Sequence, residues 1–159
     1  MYVIVLASQK GGAGKTTLAA HLAVAAEAAG DGPAILIDTD PQGSLSSWWN
    51  ERKAEDPKLA PTTIAELPEK LELLSLAGYR VAVIDTPPAI TEAIEAVLVS
   101  ADLVLIPTRP SPHDLRAVGS TVALAQDAGK PFVFAVSYRN GREMENASAR
   151  RHRDTAHRK

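Results

Sequence analysis

The sequence predicts a doubly wound α/β fold with a mostly parallel sheet, carried by one domain of residues 1–136. Three observations predict it. Five short apolar runs are nearly continuous rather than alternating, which suits strands covered on both faces. Between them lie segments whose apolar residues recur at helical spacing. The two kinds alternate along the chain, which calls for right-handed crossovers between parallel strands.

The first expected strand, Tyr2–Ala7, runs into Gly11-Gly12-Ala13-Gly14-Lys15-Thr16-Thr17 and then into an alanine- and leucine-rich helix, Thr16–Ala29. A strand, a glycine-rich turn and a helix N-terminus make a phosphate cradle. Successive backbone N–H groups converge there, and the helix dipole favours anions. Lys15 would add a full charge at the β- and γ-phosphates, and the Thr16 hydroxyl would ligate Mg²⁺. The common phosphate loop reads G-x-x-x-x-G-K-[ST]. Here Gln9 takes the first glycine position, and a second lysine, Lys10, follows it.

Gly30 marks the end of that helix, and the strand Ala34–Asp38 comes next, followed by Thr39-Asp40-Pro41-Gln42-Gly43-Ser44. Asp38 and Asp40 are two apart on an extended segment, so both side chains face one way. Beside a phosphate cradle, two such carboxylates can hold metal-bound water and orient an attacking water. Alternatively, they cap the expected helix Ser44–Glu51 and its turn. Of Trp48 and Trp49, one is expected in the core and the other either there or at an interface. Residues 52–63 are rich in charge and proline and read as a surface loop.

A helix over Ala65–Ala77 precedes the strand Val81–Asp85, whose terminal aspartate could bind Mg²⁺ through water. The next helix, Thr91–Ser100, has Ile94, Val97, Leu98 and Ala101 at helical spacing. After the strand Leu103–Pro107, Pro107, Pro110 and Pro112 stiffen the entry to a helix over His113–Ala128. That helix carries Leu115, Val118, Val122 and Ala125 on one face, has Asp114 in its first turn and ends at Gly129. Arg109 and Arg116 read as solvated surface residues, and His21 as packed or surface. The last strand is Phe132–Val136.

With no cysteine in 159 residues, disulfides and thiolate metal centres are excluded. No apolar run approaches the length of a membrane span, and a cytoplasmic location is expected. Residues 1–138 hold ten Lys and Arg against sixteen Asp and Glu, whereas residues 139–159 hold seven against three. The chain therefore reads as an acidic body with a basic tail. Residues 137–159 have too few apolar side chains to bury a face, so disorder is expected there.

The loop K-G-G-A-G-K-T-T resembles the deviant Walker A motif of the ParA/MinD family of ATPases. D-T-D-P-Q-G-S resembles that family's switch I, and D-T-P-P, ending at Pro88, resembles its switch II. A-D-L-V-L-I-P, followed by P-S-P-H-D-L, is similar to a segment common in ParA-like members. The resemblance covers residues 2 to about 136. It implies a P-loop NTPase topology, ATP and Mg²⁺ as cofactors, and weak ATPase activity. By the same resemblance Lys10 reaches across a dimer interface to the partner's nucleotide, and Asp40 positions the hydrolytic water. Asp38 joins Thr16 and Asp85 around the metal, in its outer shell. The implied partners are a second copy of the chain in an ATP-dependent homodimer, a ParB-like centromere-binding protein, and non-specific DNA. Plasmid or chromosome partition is the implied role, with nucleoid association following from DNA binding. MinD-like membrane cycling is not expected, because the tail cannot form an amphipathic helix. Family members continue with further strands and helices, so the C-terminal part of the fold is expected to be incomplete. The alternative is a catalytically impaired nucleotide-binding fragment or regulator that pairs with full-length ParA-like proteins.

Overall fold

The computed structural model describes residues 1–88 and 92–137. They form one all-parallel sheet of six strands. These are β1 (Tyr2–Leu6), β2 (Ala34–Asp38), β3 (Lys58–Leu59), β4 (Val81–Asp85), β5 (Leu103–Thr108) and β6 (Phe132–Val136). The helices are α1 (Lys15–Ala29), α2 (Ser44–Asn50), α3 (Leu67–Leu76), α4 (Glu92–Val99) and α5 (Pro112–Asp127). The spatial order is β3-β2-β4-β1-β5-β6. From the central β1 the chain winds outward to β2 and β3, returns through β4, and leaves through β5 and β6. This is the doubly wound arrangement, with its reversal of strand order beside β1.

Both sheet faces are covered. On one, Ala19, Ala20 and Ala23 of α1 and Leu45 of α2 pack on Leu6, Leu36 and Val83. The small alanines let α1 lie close over the strands. On the other, Leu67 and Leu71 of α3 and Ile94, Val97 and Leu98 of α4 pack with Val5, Ile37, Ile84 and Val104. Ala125 of α5 joins them. Alternate residues of the inner strands thus feed opposite cores, which is why those strands read as unbroken apolar runs. On β6 at the edge, Val133, Phe134 and Val136 are exposed. Gly30 and Gly129 take left-handed backbone angles just past α1 and α5, as expected of helix ends. Among the described residues no helix is long and apolar enough to cross a membrane.

Two expectations need correction. Residues 52–63 are not loop throughout, because Lys58 and Leu59 pair in parallel with Ile35 and Leu36, and Ala60 is buried behind them. Leu115 does not join its helical face and is 60% exposed, while Val118, Val122 and Ala125 do pack inward. The expected helix start at Thr91 lies outside the described residues, as does the tail from residue 138 onward.

Candidate nucleotide site

The site is built where three strands end. Leu6 of β1 lies in register with Asp85 of β4, and Asp38 of β2 with the same Asp85. The sheet therefore sets the start of the glycine-rich loop beside both carboxylates. Two buried threonines pin this edge. Thr39 donates its hydroxyl to the Asp85 carbonyl at 2.7 Å, and Thr86 donates to the Leu6 carbonyl at 2.7 Å.

The loop after β1 enters α1 through Gly14, whose φ of 96° is left-handed, as is the 72° of Gly12. Gly11 and Gly12 are exposed, and Ala13 and Gly14 half-buried, so the backbone between them lies open to a ligand. Lys15 is buried and donates its Nζ to the Ser8 carbonyl at 3.1 Å, folding the loop onto its own lysine. Burial pulls the Lys15 ammonium below its usual range, while Asp85 and Asp40 act to raise it. Thr16 donates its hydroxyl to Asp85 Oδ2 at 2.6 Å, and Thr17 is exposed on the next position.

Asp85 is 1% exposed, and its Oδ1 is buried without a hydrogen-bond partner among the described residues. Burial pushes its carboxyl up to about 6. The Thr16 hydroxyl and Lys15 pull it down, and Asp38 and Asp40 push it further up. A desolvated carboxylate with an orphaned oxygen, next to a threonine hydroxyl, fits a hard divalent cation. Among the described residues no three acidic or histidine side chains cluster tightly enough to hold a metal alone. Such a donor set suits Mg²⁺, which keeps water and substrate phosphate in its shell.

The two aspartates after Ile37 have different surroundings. Asp38 is buried, and its Oδ2 accepts both the backbone N–H of Ser46 at 2.9 Å and the Ser46 hydroxyl at 2.8 Å. It thereby satisfies the first turn of α2. Asp40 is half-buried, accepts only the Gln42 N–H through Oδ1 at 2.9 Å, and stays close enough to bias Lys15 and Asp85. The two side chains therefore do not act as a matched pair.

Lys10 stands apart from Lys15. It is half-exposed, and its ammonium bonds to Asp114 in the first turn of α5. That bond and the Ser111 hydroxyl hold the Asp114 carboxyl below its usual range. Asp114 was legible in the sequence as a helix-start acid but not as the lysine's partner. Arg109 is exposed, as expected, and from the surface it also reaches the loop and donates to the Gly12 carbonyl at 2.8 Å. Neither contact has a local sequence signal; the observed strand order sets the β5–α5 connection beside the loop after β1. A cavity of about 490 Å³ continues from the loop, lined by Gly14, Thr17, His21, Pro107, Arg109 and Val136 among others. Trp48 and Trp49 lie outside the site, both half-buried against the α1-side core. Arg52 rests on the Trp48 ring, and the Trp49 N–H donates to the Pro57 carbonyl.

Residues 4–123 match the CobQ/CobB/MinD/ParA nucleotide binding domain. The chain is 43% identical over 123 residues to maintenance of carboxysome distribution protein A of Gloeobacter kilaueensis, covering 76% of this chain and 55% of that protein. Against the Halothiobacillus neapolitanus protein of the same name, identity is 31% over 156 residues, covering 94% and 70%. Against ParA of Rhizobium radiobacter it is 34% over 117 residues, covering 72% and 51%. The chain thus spans about half the length of two of these relatives and 70% of the third. A plasmid partition protein from Borrelia burgdorferi has the same fold, with a TM-score of 0.69 at 21% identity, over 87% of this chain and 80% of that one. The septum site-determining protein MinD of Pyrococcus horikoshii, complexed with Mg-ADP, gives 0.69 at 20% identity, over 84% and 68%.

Proposed function

Because this chain belongs to the family of CobQ/CobB/MinD/ParA nucleotide-binding domains, we propose that it binds MgATP and hydrolyses it in a ParA-like positioning cycle. One observation carries the reading. The strand ends bring Lys15, Thr16 and Asp85 to one glycine-rich loop, with Thr16 bonded to Asp85 and a second lysine held at the loop's outer side. In this reading Lys15 leaves the Ser8 carbonyl for the β- and γ-phosphates. Thr16 and Asp85 would hold Mg²⁺, Asp85 through water, and Asp38 at the end of β2 would support that shell. Asp40 orients the attacking water. The nucleoside extends from Gly14 into the 490 Å³ cavity. ATP then closes a homodimer in which Lys10 leaves Asp114 and crosses to the partner's nucleotide.

The cargo is a large cellular body moved relative to DNA. Relatives named for carboxysome distribution, at 43% and 31% identity, support that class of cargo more strongly than one named for chromosome partition, at 28%. An adaptor protein that stimulates hydrolysis, ParB-like in the partition case, and non-specific DNA complete the cycle. A second reading keeps the nucleotide site without turnover, the chain binding nucleotide and pairing with other members of the family.

The test is phosphate release from MgATP by the purified chain, with molar mass measured by light scattering in ADP and in ATP. Slow release that Lys15→Ala abolishes, with a mass doubling in ATP, is the expected result. Binding without release would favour the second reading, and no binding would overturn both.

A further inference from the structure

We propose that Arg109 is a positioning residue of the phosphate loop, holding the Gly12 carbonyl so that the loop is set for a polyphosphate before one arrives. The inference rests on the nucleotide reading above. The contact joins residues 97 positions apart, with Nη2 donating to the Gly12 oxygen at 2.8 Å.

The arginine's own backbone is fixed. Its carbonyl accepts the Ser111 N–H at 2.8 Å, Pro110 follows it, and Ser111 caps α5 through the Asp114 N–H. The loop it reaches has no such rigidity. Gly11, Gly12 and Gly14 carry no side chain, and a Cβ at any of them would meet nothing within 4 Å. Packing therefore does not set the loop, and closing it around phosphates costs conformational entropy. In a trans peptide the carbonyl and the following N–H point in opposite directions. Fixing the Gly12 oxygen thus also fixes the Ala13 N–H, one of the donors of the cradle. Asp114, on the same α5 connection, holds Lys10. Two side chains from one stiff segment grip the loop on either side of Gly11.

The experiment measures affinity for two probes, ATP and inorganic tripolyphosphate, each with Mg²⁺, for the full chain and for Arg109→Ala and Arg109→Lys. Amide hydrogen exchange of the ligand-free proteins is measured beside it. Arg109→Ala should weaken both probes by a similar factor, roughly 2- to 12-fold for one ordinary hydrogen bond. Arg109→Lys should not restore the affinity, because the lysine side chain is one bond shorter than the path to Nη2 and its ammonium stops short of the Gly12 carbonyl. Exchange in residues 11–14 should quicken while β1 and β4 stay protected. Restoration by lysine would reduce the effect to charge and overturn the proposal. A loss confined to ATP would make Arg109 a wall of the nucleoside cavity and overturn it too, as would unchanged exchange in the loop. If the unsubstituted chain binds neither probe, the nucleotide reading itself fails, and this role falls with it.

Discussion

Lys15 sits buried with its Nζ on the Ser8 carbonyl, whereas Lys10 is half-exposed and bonded to Asp114. The two environments separate the expected phenotypes. Lys15→Ala should cost nucleotide affinity roughly 10- to 150-fold, the range for a hydrogen bond to a charged group. Lys10→Ala should bind nucleotide normally yet stay monomeric in ATP, which fluorescent-nucleotide titration and light scattering would show together. Asp40→Ala should bind MgATP but release phosphate at least tenfold more slowly, since a water-orienting carboxylate acts on turnover more than on affinity. Normal turnover in that variant would shift the role to another group. Asp85 yields a pH prediction. Its carboxyl ionises near 6 when folded, against 3.8 for the free group. The folded state therefore holds the extra proton between those values. The group's contribution to stability falls as pH rises through that window, by roughly 3 kcal/mol in the ligand-free protein. Urea unfolding at pH 5 and pH 7.5 should show about half of this loss, roughly 1–1.5 kcal/mol, in the unsubstituted chain and none of it in Asp85→Asn. The residues of this set were legible because each belongs to a short local pattern at a strand end. Arg109 and the partner of Lys10 were not, because those contacts span 97 and 104 positions.

At the level of elements, α5 shows how a cap serves two purposes. Ser111 accepts the Asp114 N–H at 3.1 Å and donates to Asp114 Oδ2 at 2.8 Å, closing the first turn and aiming the carboxylate that holds Lys10. Ser111→Ala should cost about 1 kcal/mol, lowering the thermal midpoint by about 2–4 °C, and a circular-dichroism melt would measure it. Most elements were readable before any coordinates. β2, β4 and β6 match their expected bounds to the residue. β2 and β4 are buried along almost their whole length, whereas β6 is legible only by its composition, since Val133, Phe134 and Val136 are exposed. β3 was not readable. Two residues, one of them lysine, form no apolar run, and only the edge of β2 makes them a strand. Leu115 was misplaced for a related reason. It keeps the helical period, but it lies in the turn where α5 is only beginning to meet the sheet.

Taken as a whole molecule, the chain separates charge, with ten basic against sixteen acidic residues up to position 138 and seven against three beyond it. The sequence of residues 139–159 has no Phe, Trp or Tyr and no periodic spacing of its basic residues. Removing residues 137–159 should therefore leave DNA binding unchanged, measured by anisotropy at low and high salt. Salt-sensitive binding lost on truncation would assign the contact to the tail instead. The central place of β1 has a consequence during synthesis. Its neighbours are β4 and β5, which begin 79 and 101 residues later in the chain. At ribosomal speeds of 5–20 residues per second, the first strand waits roughly 4–16 s for its first partner. Throughout that interval Tyr2–Leu6 is an adhesive apolar strand with both edges open. Nascent chains stalled after β2 should be cut readily by protease, and protection of the N-terminus should arise only once β5 has left the tunnel. The strand that carries the phosphate loop is made well before both of its partners and secured late, so its survival at birth depends on whatever shields it at the ribosome exit.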